Sequence, residues 1–262
     1  MGNLNYPEPL RFSTQEVEFT KQPEFWRCQE CMSCFVQNVI PEEIGKSLYV
    51  KGDAAVRWPN ERFEEEKTGK TIKCLSKLFL PGKKVLDIGC NTGELLDYAK
   101  SRGCQAAGLE FSATSRGVLE DKGYRAYASF DEIDDLYDVI TAVDLVEHLY
   151  NVPDFMDRCR GSLTPNGCLV ILTGDVGSLS ARMTGADWWY ARIPEHMVFP
   201  SRKYYEEFSG FHVEKRVSTY ASVAYQHSIV RKIIIIMKRS LRGYYRGLPS
   251  FYPDHILIVL RK

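Results

Sequence analysis

The chain has 262 residues, of which 44% are hydrophobic and 12% aromatic, so it can bury a sizeable core and is not expected to be disordered. Its 34 basic and 34 acidic residues cancel, which argues against a general nucleic-acid-binding surface. The eight cysteines form no disulfide-like framework, and neither an apolar leader nor about 18 consecutive apolar residues occurs, so we expect a cytoplasmic protein without a membrane span.

The chain divides into two predicted parts. Residues 1–58 are polar and aromatic-rich without a clear period, and we expect an irregular N-terminal arm. Residues 59–262 form the predicted main domain, which opens with a helix capped by Asn60 and ended by Pro81-Gly82.

Strands and helices then alternate. The predicted strands are Lys84–Ile88, Ala106–Phe111, Tyr124–Ala128, Tyr137–Val143 and Cys168–Thr173. The predicted helices between them are Glu94–Arg102, Ser112–Gly123 and Pro153–Leu163, the last closed by Pro165-Asn166-Gly167. A long loop to Pro200, a helix capped by Ser201, and strands over Phe211–Thr219 and His255–Leu260 complete the pattern. Near-continuous apolar strands alternating with helices predict an α/β fold with a doubly wound, mostly parallel sheet.

A short glycine-containing loop follows the first of these strands. Gly89 and Gly93 allow close approach of a ligand to the backbone, and the following helix offers unpaired N–H groups. The spacing disfavours a dinucleotide fold and excludes a phosphate-cradling NTPase loop. Glu110, which ends the next strand, is placed to accept hydrogen bonds from two ribose hydroxyls. An ordinary strand–helix turn is the alternative for the glycines.

Four segments in order resemble the motifs of class I S-adenosylmethionine-dependent methyltransferases. They are Val85–Gly93, Gly108–Phe111, Tyr137–His148 and Leu163–Ile171. Asn91 stands where the family usually has glycine, a mild departure because asparagine tolerates unusual backbone angles. The resemblance implies a Rossmann-like, seven-stranded sheet with helices on both faces. It also implies S-adenosyl-L-methionine as cofactor and S-adenosyl-L-homocysteine as product.

The resemblance also implies roles for individual residues of the cofactor site. Asp87 would orient the loop and meet the cofactor's amino group, and Glu110 would hold the ribose diol. The remaining contacts would come from Gly89, Cys90, Asn91 and Gly93 along the methionine and ribose, from Phe111 and Phe130 at the adenine, and from Asp144 or Leu145 on the far side. For the two phenylalanines, plain core packing is an equal alternative.

Two histidines, His148 and His196, and the neighbouring Glu147 are candidates for catalysis. His148 follows Glu147 just past the fourth strand, and a near-neutral imidazole suits removal of a hydroxyl proton. His196 lies in Pro194-Glu195-His196 of the long loop, and both elements resemble a bacterial subgroup associated with sugar, glycan or lipid modification. The alternatives are a structural histidine at a helix end and a loop that only packs. Trp188, Trp189 and Tyr190 either pack this loop or line a pocket, and His212, His227 and His255 receive no role.

A cysteine cluster and a basic segment complete the survey. Cys28, Cys31 and Cys34 resemble half of a zinc ribbon whose first half is missing, so no metal site is predicted. The arm around them, with Tyr49 and Trp58, is expected to fold over the cleft. Residues 226–247 carry six basic and no acidic residues. They predict either a helix packed on the domain, or peripheral contact with an anionic membrane or a phosphorylated substrate.

These features predict a methyltransferase for a small molecule, with a hydroxyl of a sugar or of a glycan or lipid precursor as acceptor and no nucleic-acid partner. A catalytically silent cofactor-binding scaffold and an N- or C-methyltransferase remain as alternatives. A nucleic-acid methyltransferase is disfavoured because Asp144-Leu-Val-Glu147 stands where such enzymes carry Asn/Asp-Pro-Pro-Tyr/Phe. A nicotinamide dehydrogenase is disfavoured by the glycine spacing.

Overall fold

The computed structural model describes residues 2–4, 10–12, 15–17, 21–51, 71–219, 228–241 and 252–262, so the predicted helix start at Asn60 lies outside the described residues. The strands are β1 (Gly2–Asn3), β2 (Leu10–Phe12), β3 (Gln15–Val17), β4 (Glu24–Arg27), β5 (Cys34–Gln37), β6 (Lys84–Ile88), β7 (Gln105–Leu109), β8 (Arg125–Tyr127), β9 (Tyr137–Val143), β10 (Leu163–Gly174), β11 (Val198–Phe199), β12 (His212–Thr219) and β13 (His255–Arg261). The helices are α1 (Glu42–Lys51), α2 (Glu94–Ser101), α3 (Ala113–Asp121), α4 (Val152–Gly161), α5 (Leu179–Thr184) and α6 (Ile229–Leu241).

A seven-stranded sheet forms the centre of the molecule, in the order β12-β13-β10-β9-β6-β7-β8. The pairs among β10, β9, β6, β7 and β8 are parallel, and β13 is antiparallel to both of its neighbours. The α/β fold class is therefore confirmed. Since these five strands run in one direction, their ends meet along one side of the sheet, called here the carboxyl edge, which is where such folds bind ligands.

Both faces of this sheet are covered, which is why its strands are apolar on both sides. Successive residues of a strand point to opposite faces. Thus Val85 packs in one apolar cluster with Leu95 of α2, while Leu86 packs in another with Phe155 of α4. Burial on both sides fixes the direction and register of the strands, and with them the loops at the carboxyl edge.

The segment Pro165-Asn166-Gly167 was wrongly predicted to close a helix outside the strand. Helix α4 ends at Gly161, and β10 already begins at Leu163. Leu163 pairs with Tyr137 of β9 and Cys168 with Val139, so the intervening residues form a bulge. A bulge accommodates extra residues, including a proline, without ending the strand.

The N-terminal arm is more regular than the sequence predicts. Strands β4 and β5 form a hairpin in a second sheet of order β1-β4-β5-β11, and β11 comes from the loop that was predicted to be irregular. Helix α5 lies in the same loop. Phe25 and Cys34 of the arm share a buried apolar cluster with Trp188 and Phe199. An isolated two-stranded hairpin is only marginally stable in water, so this cluster stabilises the arm. Trp58 and the side chain of Tyr49 lie outside the described residues.

Helix α6 lies between β12 and β13 in the chain. β12 is parallel to β10, since both are antiparallel to β13, so β12 ends and β13 begins at the carboxyl edge. The insertion that contains α6 therefore leaves and re-enters the sheet at that edge. Within the described ranges, none of the helices has the length and apolar character required to span a bilayer.

Candidate active site

The loop after β6 follows a left-handed backbone path. Gly89, Asn91 and Gly93 have φ values of 73°, 46° and 86°. This region favours glycine and tolerates asparagine, which explains the residue types. A Cβ on Gly93 would lie 2.6 Å from Leu119 Cδ2, so α2 and α3 leave no room for a side chain there.

Glu110, just after β7, fastens two loops of the carboxyl edge together. Its carboxylate accepts hydrogen bonds from the backbone N–H of Asn91 at 3.0 Å and from that of Ser112 at 2.8 Å. Ser112 in turn caps α3 with its side chain. A carboxylate offers about four lone-pair directions, so Glu110 retains acceptor capacity for two further donors.

Asp87 lies beneath the loop and is only 5% exposed. Thr141 of β9 donates a hydrogen bond of 2.6 Å to Asp87 Oδ1. Burial, opposed by the Thr141 hydrogen bond and assisted by the nearby charge of Glu110, raises the pKa of Asp87 to about 7. Asp87 thus joins β6 to β9 and stands ready to ionise when a cation approaches.

The other predicted cofactor residues fall into two groups. Cys90 and Leu145 pack closely around the loop: a Cβ on Gly108 would lie 2.4 Å from Cys90 Sγ, and one on Gly89 would lie 3.0 Å from Leu145 Cδ1. The phenylalanines differ from each other. Phe111 is 43% exposed after β7, whereas Phe130 packs edge-on against Phe155, with ring centroids 6.0 Å apart. Only Phe111 therefore offers an open ring face.

Glu147, His148 and His196 come together at the end of β9. One ligand atom of each lies within 4.8 Å of the others, and the two imidazole centroids are 4.7 Å apart. The backbone N–H of Met197 donates to the Glu147 carbonyl at 2.7 Å, which fixes the loop that carries His196 against the turn that carries His148. We call these three residues the His–Glu cluster.

Both imidazole rings of the His–Glu cluster have a defined tautomer. His148 Nδ1 lies 2.9 Å from the Glu195 carbonyl oxygen, and His196 Nδ1 lies 2.6 Å from the Tyr190 carbonyl oxygen. Because a carbonyl oxygen only accepts, Nδ1 of each ring carries a proton, and in the neutral form of the ring Nε2 then carries the lone pair. Burial, with the neighbouring His148 as a further cause, lowers the pKa of His196 well below its usual range, so that ring stays neutral.

Glu147 is fully buried, and two neutral hydroxyls bind it. Tyr190 Oη donates to Glu147 Oε1, and Thr173 Oγ1 donates to Oε2 at 2.7 Å. Burial raises the pKa of this carboxyl despite these hydrogen bonds. Tyr190 Oη also lies 3.2 Å from Oδ1 of Asp144, an exposed residue with φ of 47° that follows β9. The Trp188–Trp189–Tyr190 segment is therefore packed, and Tyr190 in addition contacts two carboxylates.

His255 was wrongly left without a place near the site. Its ring is fully buried, with its centroid 4.4 Å from that of Tyr190, and its Nδ1 lies 3.0 Å from Asp254 Oδ1. The reason is topological: β13 runs against its neighbours, so its first residue lies where theirs end. By contrast, His212 is exposed at the start of β12, at the opposite edge.

Thr141 and Thr173, whose hydroxyls hold the buried carboxyl groups of Asp87 and Glu147, were not predicted as site residues from the sequence. A signal was present in each case. Both threonines are fully buried in otherwise apolar strands, and a polar residue in such a run needs a hydrogen-bond partner.

Cys28 and Cys31 of the arm contact each other, but among the described residues the three cysteines do not form a group with metal-ligand spacing. Within the ranges that the structure describes, the His–Glu cluster is the one group of three or more His, Cys, Asp or Glu residues with metal-ligand spacing. Cys34 is buried in the apolar cluster of the arm, where burial raises the pKa of its thiol, while Cys31 Sγ contacts Ser33 Oγ at 3.3 Å.

Comparison with known proteins gives a consistent picture. Residues 61–210 match the family described as "Methyltransferase domain", which spans more than half of the chain. A ubiquinone biosynthesis O-methyltransferase of Rhodopseudomonas palustris (strain BisB5) is 32% identical over 140 residues, covering 49% of this chain and 53% of the relative. The chain thus matches about half the length of that relative. Another, from Bradyrhizobium sp. (strain ORS 278), is 29% identical and covers 68% and 69% respectively.

Among solved structures, a SAM-dependent methyltransferase from Archaeoglobus fulgidus aligns with a TM-score of 0.56 at 19% identity, covering 80% of this chain and all of its own. At this identity the likeness shows the fold alone.

The buried carboxyl of Asp87 predicts a pH dependence of stability. Its pKa rises from 3.8 to about 7 on folding, so the folded chain binds the extra proton between these values. The stability contributed by the protonated form is present at low pH and is lost as pH rises through about 7. We expect the free energy of unfolding of the wild type to fall more, between about pH 5 and pH 8, than that of Asp87→Asn.

Urea denaturation at each pH measures this difference, and Asp121→Asn, an exposed substitution in α3, is the matched control. Parallel pH curves for wild type and Asp87→Asn would show that Asp87 ionises normally in the folded chain.

Proposed function

The chain belongs to the class I S-adenosylmethionine-dependent methyltransferases, and we propose that it transfers the methyl group of S-adenosyl-L-methionine to a hydroxyl oxygen of a small-molecule acceptor. The observation that supports this most is the position of the His–Glu cluster. It lies at the same carboxyl edge as the glycine loop, one strand away, since β9 pairs with β6. A methyl donor in that loop and a proton acceptor on the next strand are what O-methylation needs.

The residues around the loop fit the cofactor. Glu110 has acceptor capacity for a ribose diol, and Gly89 exposes backbone beside it. Asp87, with its pKa near 7, would ionise against the cofactor's ammonium group. Phe111 offers an exposed ring beside Glu110 for the adenine. When bound, S-adenosyl-L-methionine supplies an electrophilic methyl group on a sulfonium.

The His–Glu cluster takes part in removing the acceptor's proton. As the O–H bond breaks, the oxygen lone pair forms the new O–C bond, and the S–CH₃ electron pair stays on sulfur. Nε2 of His148 and of His196 carries the lone pair, because Nδ1 of each ring donates to a backbone carbonyl. The aromatic packing of Trp188 and Tyr190 excludes water behind these rings.

The named relatives favour oxygen as the atom that is methylated. The relatives from Rhodopseudomonas palustris and Bradyrhizobium are named O-methyltransferases of ubiquinone biosynthesis. Their name does not point to a sugar, so within the predicted acceptors we favour a hydroxyl compound that carries a lipid chain.

Helix α6 supports a lipid-linked acceptor. Six of its large apolar side chains are exposed at positions that form one stripe, namely Ile229, Val230, Ile233, Ile234, Met237 and Leu241. The helix has no acidic residue. Lys232, on its inner side, is buried and interacts electrostatically with Asp254. An apolar stripe with basic flanks suits the surface of an anionic bilayer, which would bring a lipid-linked hydroxyl to the carboxyl edge.

Removing the carboxylate of Glu110 should strongly weaken cofactor binding. Two hydrogen bonds to a charged acceptor contribute about 1.5–3 kcal/mol each, so Glu110→Ala should weaken the affinity for S-adenosyl-L-homocysteine by about 100-fold or more. The affinity of Glu110→Gln should lie between those of the wild type and Glu110→Ala, because the amide keeps one acceptor oxygen. Isothermal titration measures the affinity, with the exposed Glu120→Ala as control. Wild-type affinity in folded Glu110→Ala would sink the cofactor assignment.

His148→Ala should separate binding from transfer. We expect the affinity for S-adenosyl-L-homocysteine to be unchanged and the rate of methyl transfer to fall by about 100-fold or more. The measurement is transfer of labelled methyl to hydroxyl compounds with and without a lipid chain, and His212→Ala at the opposite edge is the control. Unchanged turnover in His148→Ala would return this residue to a structural role, and binding without turnover in the wild type would favour the scaffold alternative.

The apolar stripe of α6 predicts membrane association. The full chain should co-sediment with phosphatidylcholine vesicles that contain phosphatidylglycerol, and less with pure phosphatidylcholine. Val230→Glu/Ile234→Glu should lose this association, because the new carboxylates oppose both burial and the anionic surface. Met183→Glu, at a 77% exposed position of α5, is the control. Equal sedimentation of the double variant and the wild type would refute the role of α6.

A further inference from the structure

The His–Glu cluster has the donor atoms of a metal centre. Two imidazoles and one carboxylate place one ligand atom each within 4.8 Å of the others. Atoms at this separation can reach a common ion at the usual distances of about 2.0–2.2 Å with small side-chain movements. Two histidines and one carboxylate form a set that Zn²⁺, Mn²⁺ and Fe²⁺ accept, whereas Mg²⁺ and Ca²⁺ prefer oxygen ligands.

The hydrogen bonds around the cluster support ligation. A ligating histidine needs its second nitrogen held as a donor, commonly by a backbone carbonyl. His148 and His196 both have this arrangement, at 2.9 Å and 2.6 Å. In the same way, Tyr190 and Thr173 orient the Glu147 carboxylate, one on each oxygen. Hydrogen bonds thus orient all three side chains before any ion binds.

The burial of Glu147 gives a second reason for a cation. The carboxylate is fully buried, and within the described ranges its hydrogen-bond donors are neutral hydroxyls and no lysine or arginine forms an ion pair with it. A buried carboxylate is costly unless a positive charge compensates it.

We propose that Glu147, His148 and His196 bind one divalent transition-metal ion, with Zn²⁺ as the probe of choice, and that this ion holds the acceptor oxygen during methyl transfer. The inference rests on the proposed function and changes one step of it: with both imidazoles bound to the ion, the acceptor's proton leaves to water instead of to an imidazole nitrogen. Three protein ligands leave a coordination position open for the acceptor. The bound hydroxyl loses its proton to water more readily, so its oxygen attacks the methyl carbon as an alkoxide or phenolate, and the S–CH₃ bond breaks with its electron pair on sulfur.

The test is a metal titration of the full chain after treatment with a chelator. Zn²⁺, followed by calorimetry, and Co²⁺, followed by its visible d–d absorption, should each bind as one equivalent. His148→Ala/His196→Ala should lose this equivalent, and His148→Ala alone should weaken it by about 10-fold or more. His212→Ala should bind as the wild type does, and circular dichroism verifies the fold of each variant.

The cysteines of the arm are a competing source of metal binding, and a second variant separates them. Cys28→Ser/Cys31→Ser should keep the equivalent, and the Co²⁺ spectrum should lack the charge-transfer band of thiolate ligands. Binding that persists in His148→Ala/His196→Ala, that disappears in Cys28→Ser/Cys31→Ser, or that is absent from the wild type would overturn the proposal.

Titration with S-adenosyl-L-homocysteine distinguishes failure of the metal site from failure of the proposed function. Wild-type protein that binds S-adenosyl-L-homocysteine but no stoichiometric metal overturns the metal site alone. Protein that binds the metal but not S-adenosyl-L-homocysteine overturns the proposed function and leaves an ion site of another purpose.

Discussion

The carboxyl edge depends on one side chain that ties two loops together. Glu110 accepts a hydrogen bond from the loop after β6 and another from the start of α3, and thereby fixes the left-handed path through Gly89, Asn91 and Gly93. The central sheet places these loops side by side, because β6 and β7 are parallel neighbours. An acceptor already positioned by two backbone amides needs little rearrangement to bind two hydroxyls, which lowers the entropic cost of holding a nucleoside.

Much of the fold could be predicted from the sequence because burial on two faces leaves a plain pattern. The near-continuous apolar run of Tyr137–Val143 was predicted with the same bounds as β9, and Glu110 was placed at the end of its strand. The prediction failed where long-range contacts determine the local structure. β11 forms only because the arm supplies β5 as a partner, and the bulge in β10 is set by its pairing with β9. His255 reaches the site through the antiparallel direction of β13, which local sequence does not encode.

Beside the cofactor loop, the structure concentrates polar groups in an apolar setting. Glu147 is held by Tyr190 and Thr173, Asp87 is held by Thr141, and the apolar clusters of the sheet and the arm enclose them. Such networks oppose folding unless every group is satisfied, so their presence at the carboxyl edge is a mark of function. They divide the work of the proposed reaction, since Asp87 and Glu110 would meet the donor while the His–Glu cluster would meet the acceptor and a metal ion.

A crystal structure of the full chain with S-adenosyl-L-homocysteine tests the central assignment most directly. The ribose diol should contact the Glu110 carboxylate, the amino group should approach Asp87, and the sulfur should face the His–Glu cluster across the end of β9. S-adenosyl-L-homocysteine bound away from the glycine loop, or with its sulfur turned from Glu147, His148 and His196, would contradict the proposed division between donor and acceptor sites.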